Sequence, residues 1–302
     1  MRERRRIAAY GLCRSADGVL LTRSSDLAAF TGVWQIPGGG VDHGEHPDDA
    51  VVREFAEETG LTVRVDRLRT AVADVLPLPG LDVAMHTDRI VYDVTVVGGR
   101  LRHEGHGTTD RAAWVPSDQL GGLPLMPFTA ELLGLPVTPL PAVAPEGEPP
   151  PLPPEPVDRR QRFAAYGLVT DPARRVLLTR IAAGYPGAGL WHLPGGGTDH
   201  GEQPDTGLLR ELVEESGQLG RVTGLIGVSN RRDPAALGPE GFPLDWHGVG
   251  VVYRIVVDQP GPARVTEAAG GSTAEAAWFA PQEAARLRLT EVAAGALEHI
   301  SR

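Results

Sequence analysis

Lysine is absent from all 302 residues, so the 29 basic side chains are arginines. That excludes a phosphate loop of the Walker type, whose chemistry depends on a lysine reaching the phosphates. Cysteine is almost as scarce. Cys13 stands alone, which rules out an intrachain disulfide and a cysteine-based zinc site, and its apolar surroundings in the sequence point to a buried thiol. No run approaches the roughly 18 apolar residues of a membrane span, and no signal-like hydrophobic stretch follows the arginine-rich start. The expectation is therefore a cytoplasmic protein that meets no membrane. Positive charge is also in deficit. With 39 acidic residues the net charge is −10, which argues against nucleic-acid backbone binding, because phosphate backbones are held by basic surfaces. An acidic ligand would need local positive charge from bound metal or a few aimed arginines. What remains, 41% hydrophobic and 23% charged residues, is a globular composition long enough for two domains, each with its own core.

The chain repeats itself. Ala8-Ala9-Tyr10-Gly11-Leu12 recurs as Ala164-Ala165-Tyr166-Gly167-Leu168, and Val19-Leu20-Leu21-Thr22-Arg23 as Val176-Leu177-Leu178-Thr179-Arg180. From Val19 the offset holds at 157 residues through Gly60 and Gly217, so the repeat is a domain and not a solenoid unit. The expected division is 1–138, a proline-rich linker over 139–156, and 157–302. Pro139–Pro156 is too rich in proline for helix or central strand and favours an extended spacer.

Each copy shows the same coarse pattern. Branched and aliphatic runs predict strands over Ile7–Cys13, Val19–Arg23, Leu61–Leu68, Ile90–Val97 and Ala112–Val115. A helix is predicted over Pro47–Thr59, with proline in its first turn and Gly60 just past its end, and a terminal helix over Met126–Leu133. The second copy adds strands at Val249–Val257 and Ala276–Phe279 and a last helix over Thr290–Ile300. The mixture implies an α/β class, two domains each with a mixed sheet sandwiched between helices.

One spacing carries the chemistry. Gly39 is followed by Glu45, then Arg53-Glu54-Phe55, Glu57-Glu58 and Gly60-Leu61; the second copy has Gly196, Glu202, Arg210-Glu211-Leu212, Glu214-Glu215 and Gly217. On a helix Glu54, Glu57 and Glu58 sit at i, i+3 and i+4, which puts three carboxylates on one face. Val51, Val52, Phe55 and Ala56 are expected to anchor the other face, as are Leu208, Leu209, Leu212 and Val213. Hard oxygen ligands clustered this way suit Mg²⁺ or Mn²⁺, with phosphates and waters completing the shell. A solvated acidic face is the plain alternative, and finding the whole pattern twice counts against it.

The spacing resembles the Nudix box of the nucleoside-diphosphate-linked-moiety hydrolases. The first copy matches at every position, and the second departs only where Gln218 replaces the final apolar residue. The resemblance implies a hydrolase that directs water onto a pyrophosphate phosphorus in small nucleoside-diphosphate-linked compounds (ADP-ribose-like, nucleotide-sugar-like) or nucleoside triphosphates. Glu57, Glu58, Glu214 and Glu215 resemble its metal-binding pair. Glu54 and Glu211 resemble the residue that binds metal or takes the proton from water. Arg53 and Arg210 resemble its orienting arginine, and the carbonyls of Gly38 and Gly195 a further ligand. Glu45 and Glu202 are expected to hold the loop against the helix. In some family members the base sits on a later loop, for which Glu104, Asp110, Glu267 and Glu275 are the candidates.

Outside the box, Arg23 and Arg180 end the second strand of each copy, placed to meet a substrate phosphate or to form a surface ion pair. His43 and His200 read as solvated loop residues. Pro77 and Pro234, at matching places beyond each box, are a weak hallmark of the ADP-ribose-cleaving members. Between the box and the last tryptophan the second copy is seven residues longer and carries Arg231-Arg232-Asp233, so the two sites are expected to differ. Two other readings stand beside the hydrolase. One is a nucleotide-metabolite-binding regulatory protein without turnover, which intact boxes disfavour. The other is an isomerase on the same fold, which would need a cysteine in the site. The partner expected is a small phosphorylated metabolite, the assembly a monomer with an internal pseudo-dimer or a homodimer.

Overall fold

The computed structural model describes residues 1–78, 80–103, 107–140, 152, 154, 156–237, 243–266 and 271–300. Glu104, Glu267 and most of Pro139–Pro156 lie outside the described residues. Two compact units emerge: Met1–Gln161 with Asp233–His247, and Arg162–Arg232 with Gly248–Arg302.

In chain order the first repeat forms β1 (Arg2–Ser15), β2 (Gly18–Ser24), β3 (Trp34–Gln35), β4 (Gly38–Gly40), α1 (Pro47–Thr59), β5 (Leu61–Pro77), β6 (Val83–Gly99), β7 (Thr109–Val115) and α2 (Pro127–Leu133). The sheet order is β3-β2-β1-β6-β5, with β4 added to β1 and β7 to β2. β1 and β6 run parallel while β5 pairs β6 antiparallel, so the sheet is mixed. The second repeat forms β8 (Arg159–Thr170), β9 (Val176–Ile181), β10 (Trp191–His192), β11 (Gly195–Gly197), α3 (Pro204–Ser216), β12 (Arg221–Leu237), β13 (Pro243–Val256), β14 (Thr273–Phe279), α4 (Pro281–Ala284) and α5 (Glu291–Leu297). Its order is β10-β9-β8-β13-β12, with β11 on β8 and β14 on β9.

Neighbouring residues on one strand show how the layers form, because successive side chains leave a strand on opposite faces. At Gly11 a Cβ would lie 2.4 Å from the Phe55 ring, so α1 presses directly on the backbone there. Tyr10 points the other way and meets Phe128 of α2 at 4.8 Å between ring centroids. The helices therefore cover opposite faces of the sheet, as the α/β expectation required. The α2 side holds a core of Ala8, Tyr10, Leu12, Val91 and Phe128. In the second unit Leu168, Leu178 and Leu193 pack with Ala293 and Ala296 of α5. Cys13 is buried as expected, and burial pushes its thiol pKa up.

Several strands exceed the expectation. β1 starts at Arg2 because its parallel pairing with β6 runs back through the arginines. Arg5 donates to both oxygens of the fully buried Asp88, at 2.7 and 3.0 Å, which offsets the charge that hid this stretch from a hydrophobic reading. β5 continues to Pro77 by shifting register three times, accommodating charged residues at bulges. The last helix is shorter than Thr290–Ile300: Thr290 is its N-cap, accepting from the Ala293 N–H.

Candidate active site

The predicted box helix is found over the same residues, Pro47–Thr59. His46 caps its start by accepting from the Asp48 N–H, and Gly60 closes it in the left-handed region at φ 69°. α3 over Pro204–Ser216 repeats the design, closed by Gly217 at φ 67°.

The buried faces differ from the expectation. Ala56 and Val213 lie outside, while Glu58 and Glu215 lie inside at 5% and 4% exposure. Helix geometry explains it. At about 100° per residue, Glu58 is roughly 20° from the buried Val51 and roughly 60° from the buried Phe55, whereas Ala56 is turned roughly 140° and 100° away from them. The three glutamates are thus graded: side-chain exposure is 15% for Glu54 and 53% for Glu57, with Glu58 nearly sealed.

A sealed carboxylate needs donors. The Gly38 N–H donates to Glu58 Oε2 at 3.0 Å, and the Gly195 N–H to Glu215 Oε2 at 2.8 Å. Both glycines have positive φ, 142° and 129°. At Gly38 a Cβ would sit 2.3 Å from the Ala9 carbonyl oxygen, so only glycine lets the turn lie on β1 here.

Arg53 binds helix to turn. Its Nε and one terminal nitrogen donate to Glu45 at 2.8 and 2.9 Å, and the latter also to the Gly40 carbonyl at 2.8 Å. The other terminal nitrogen donates to Glu54 at 2.9 Å and Glu57 at 3.1 Å. Arg210 makes the matching set to Glu202 at 3.0 and 3.1 Å, Gly197 at 3.4 Å, Glu211 at 3.1 Å and Glu214 at 3.2 Å. Glu45 and Glu202 therefore do bridge loop and helix through the arginine. Burial raises the Glu54 pKa above the ordinary glutamate value, more than Arg53 lowers it. For Glu45 burial also acts upward, but the Arg53 and Asp42 hydrogen bonds together hold its pKa down.

The remaining candidates among the described residues fall into pairs, and Asp110 and Glu275 stand on β7 and β14 rather than on a loop. Arg23 donates to Asp110 at 2.8 and 2.9 Å, and Arg180 lies 2.7 Å from Glu275. Substrate-arginine and loop-carboxylate candidates thus hold one another in both copies. His43 is not solvated: its ring is 12% exposed, and within the first unit its Nε2 lies 3.1 Å from Asp245. The copies also diverge physically beyond the box. Arg89 is 2% exposed, lies 2.6 Å from Asp74 and stacks over Phe128 at 4.4 Å. In the second copy Arg231 and Gly250 take these two places, and Ser229 and Tyr166 crowd the glycine, where a Cβ would meet them at 2.6 and 2.9 Å. Hydrophobic pattern gave no sign of Arg89, since an arginine in a core is unexpected.

The donors on offer are carboxylate oxygens and a glycine-rich backbone, the chemistry a hard divalent cation takes. Among the described residues no three acidic or histidine side chains are gathered as a ready metal cage. The reason is visible: Arg53 draws Glu54 and Glu57 together while Gly38 holds Glu58. The set fits a cation in its donor atoms, with Arg53 and Arg210 as the present counter-charge.

A doubled α/β unit with an arginine-anchored glutamate helix under a glycine turn defines a class before any comparison. The NUDIX domain family model matches residues 2–133 and again 160–300, and the chain belongs to that family, as a Nudix hydrolase with two Nudix domains. Members of the family generally use a divalent metal. An ADP-ribose pyrophosphatase of Methanocaldococcus jannaschii is 33% identical over 125 residues, 41% of this chain and 68% of that protein. An RNA pyrophosphohydrolase of Bartonella bacilliformis is 50% identical over 42 residues, 14% of this chain, and the match spans only 25% of that relative's length. A MutT NUDIX hydrolase structure from Burkholderia pseudomallei is 29% identical, covering 46% of this chain and 97% of its own, with a TM-score of 0.36.

Proposed function

We propose that the chain is a Mg²⁺- or Mn²⁺-dependent pyrophosphohydrolase that cleaves small nucleoside-diphosphate-linked compounds, with ADP-ribose first among them, at two sites of differing specificity. The observation that carries this is the repeated constellation of a buried glutamate under a glycine turn with an arginine gathering the neighbouring carboxylates. The M. jannaschii relative's name and the matching prolines Pro77 and Pro234 support the substrate class. The different residues at 74 and 89 against 231 and 250 support differing specificity.

In this reading Glu54, Glu57 and Glu58 with the Gly38 carbonyl hold the ion in the first domain, and Glu211, Glu214 and Glu215 with the Gly195 carbonyl in the second. The ion, when bound, lowers the pKa of water and stabilises charge on phosphate oxygens. Glu54, whose pKa burial raises, and Glu211, only 17% exposed, are suited to take the proton as water oxygen bonds to phosphorus and the bridging P–O bond breaks. Asp110 and Glu275, or Glu104 and Glu267, are the alternative bases. Arg53 and Arg210 orient the carboxylates, and Arg23 and Arg180 exchange Asp110 and Glu275 for a substrate phosphate. The domain limits proposed are 1–138 and 157–302.

The test is a panel of ADP-ribose, nucleotide sugars and nucleoside triphosphates incubated with full-length protein and Mg²⁺, with products separated by anion-exchange chromatography. ADP-ribose yielding AMP and ribose 5-phosphate is the expected result. Binding across the panel without turnover would leave a regulatory protein instead.

A further inference from the structure

The last strand of each domain carries a bulge at the same place, and it bears on the buried glutamate. β14 pairs β9 with a register shift between Thr273 and Glu275. β7 pairs β2 with a shift at Ser24, which lies opposite Thr109. Both threonines stand five residues before the strand's tryptophan, Trp278 or Trp114. A bulge inserts one unpaired residue and re-aims the side chains before it. Glu275, on one side of the shift, goes out to Arg180, and Thr273, on the other, turns in to the helix.

There the Thr273 hydroxyl donates to Glu215 Oε1. The other carboxylate oxygen, Oε2, already accepts from the Gly195 N–H at 2.8 Å. One donor from the glycine turn and one from the last strand therefore hold the two ends of a carboxylate that is 4% exposed. A single hydrogen bond leaves a carboxylate free to rotate about its bond to the oxygen-bearing carbon; two donors on different elements fix its plane. A carboxylate oxygen can accept more than one bond, so being held by these two donors is compatible with a role as a cation ligand. Thr109 in the first domain is 3% exposed and stands at the corresponding place.

We propose that Thr273, and by repetition Thr109, is a positioning residue that pre-orients the buried metal-binding glutamate. This rests on the metal-site reading above. It also gives the bulge a purpose: in an unbroken strand Thr273 and Glu275, two residues apart, would share a face, and the hydroxyl would leave on the side of Glu275 instead of turning in to the helix.

The experiment uses full-length protein carrying Glu58→Gln, so that the second site is read alone, and counts bound Mn²⁺ by electron paramagnetic resonance. Thr273→Val keeps the shape and removes the hydroxyl; Thr273→Ser keeps the hydroxyl. Valine is expected to weaken Mn²⁺ binding by about tenfold, the lower range for loss of a ligand's supporting partner, and serine to restore it. Circular dichroism reports folding, and Thr273→Ala replaces valine if valine unfolds the domain. Hydroxyl-free variants that bind like the parent overturn the assignment, as does serine behaving like valine, which would make the role one of packing. A parent that binds no Mn²⁺ sinks the metal-site reading itself, a different result from a parent that binds and a valine variant that matches it.

Discussion

Replacing Arg53 with methionine keeps a stem comparable to the aliphatic part of the side chain and removes the guanidinium that contacts Glu45, Glu54 and Glu57. Glu57 is half in water at 53% exposure and should barely register the loss. Glu45 and Glu54 are 16% and 15% exposed and lose their counter-charge in a poorly hydrated place. Breaking a buried pair costs about 3–5 kcal/mol; with Arg53 itself 28% exposed, a discounted figure of about 2–4 kcal/mol applies. For urea unfolding that lowers the first domain's midpoint by about 1–2 M. The pH dependence gives the prediction its sign. Glu45 has a lowered pKa and stabilises the fold above the ordinary glutamate range; that contribution is lost as pH falls through its folded value. Glu54 without Arg53 rises further and is destabilising only while ionised. Both effects make the variant's deficit large at pH 8 and small near pH 4, and move the acidic limb of the pH–rate profile upward. Urea unfolding of the full chain at both pH values, without metal, is the assay. An Arg53→Met protein as stable as the parent at pH 8 refutes the claim that this arginine ties turn to helix.

Other outcomes follow from neighbouring features. Burial lowers the His192 pKa to about 4, with its Nδ1 2.6 Å from the Thr290 hydroxyl. Its neutral form is favoured by folding, so this share of stability is present above the unfolded value near 6.5 and is lost as pH falls toward 4; between pH 7.5 and 5 that is at most about 2 kcal/mol. His192→Gln, the residue at this place in the first repeat, should flatten that slope, and equal slopes in both proteins would count against it. Gly38→Ala puts a Cβ 2.3 Å from the Ala9 carbonyl oxygen, and should cost at least about 2 kcal/mol in urea unfolding and abolish Mn²⁺ binding at the first site. An alanine variant with parental stability would show the turn to be looser than described. Treatment with EDTA should abolish hydrolysis, with Mg²⁺ restoring it; activity that survives chelation contradicts a metal-dependent reaction.

The helix over Pro47–Thr59 was legible to the residue because proline, glycine and the apolar spacing all mark it locally. So was the doubling, which needs only identity at a fixed offset. Strand limits were not: whether Arg2–Arg6 extends β1 depends on Asp88, more than 80 residues away, accepting an arginine. The same distance hid the pairing of Arg23 with Asp110, although both residues were singled out separately. Which glutamate is buried was misread because the apolar face was taken as opposite to all three carboxylates, when Glu58 borders Val51 and Phe55. Thr273 carried no signal at all. Its role comes from a bulge, and a bulge is a property of two strands together.

The two glutamate helices are tested most directly by ADP-ribose hydrolysis with Mg²⁺ in the parent, Glu58→Gln, Glu215→Gln and the double variant. The double variant should lose at least about a hundredfold in rate, the scale of removing preorganised charge from a site of this kind. Each single variant should retain the share of its untouched domain. A double variant that hydrolyses at the parental rate would place the chemistry somewhere other than these two helices.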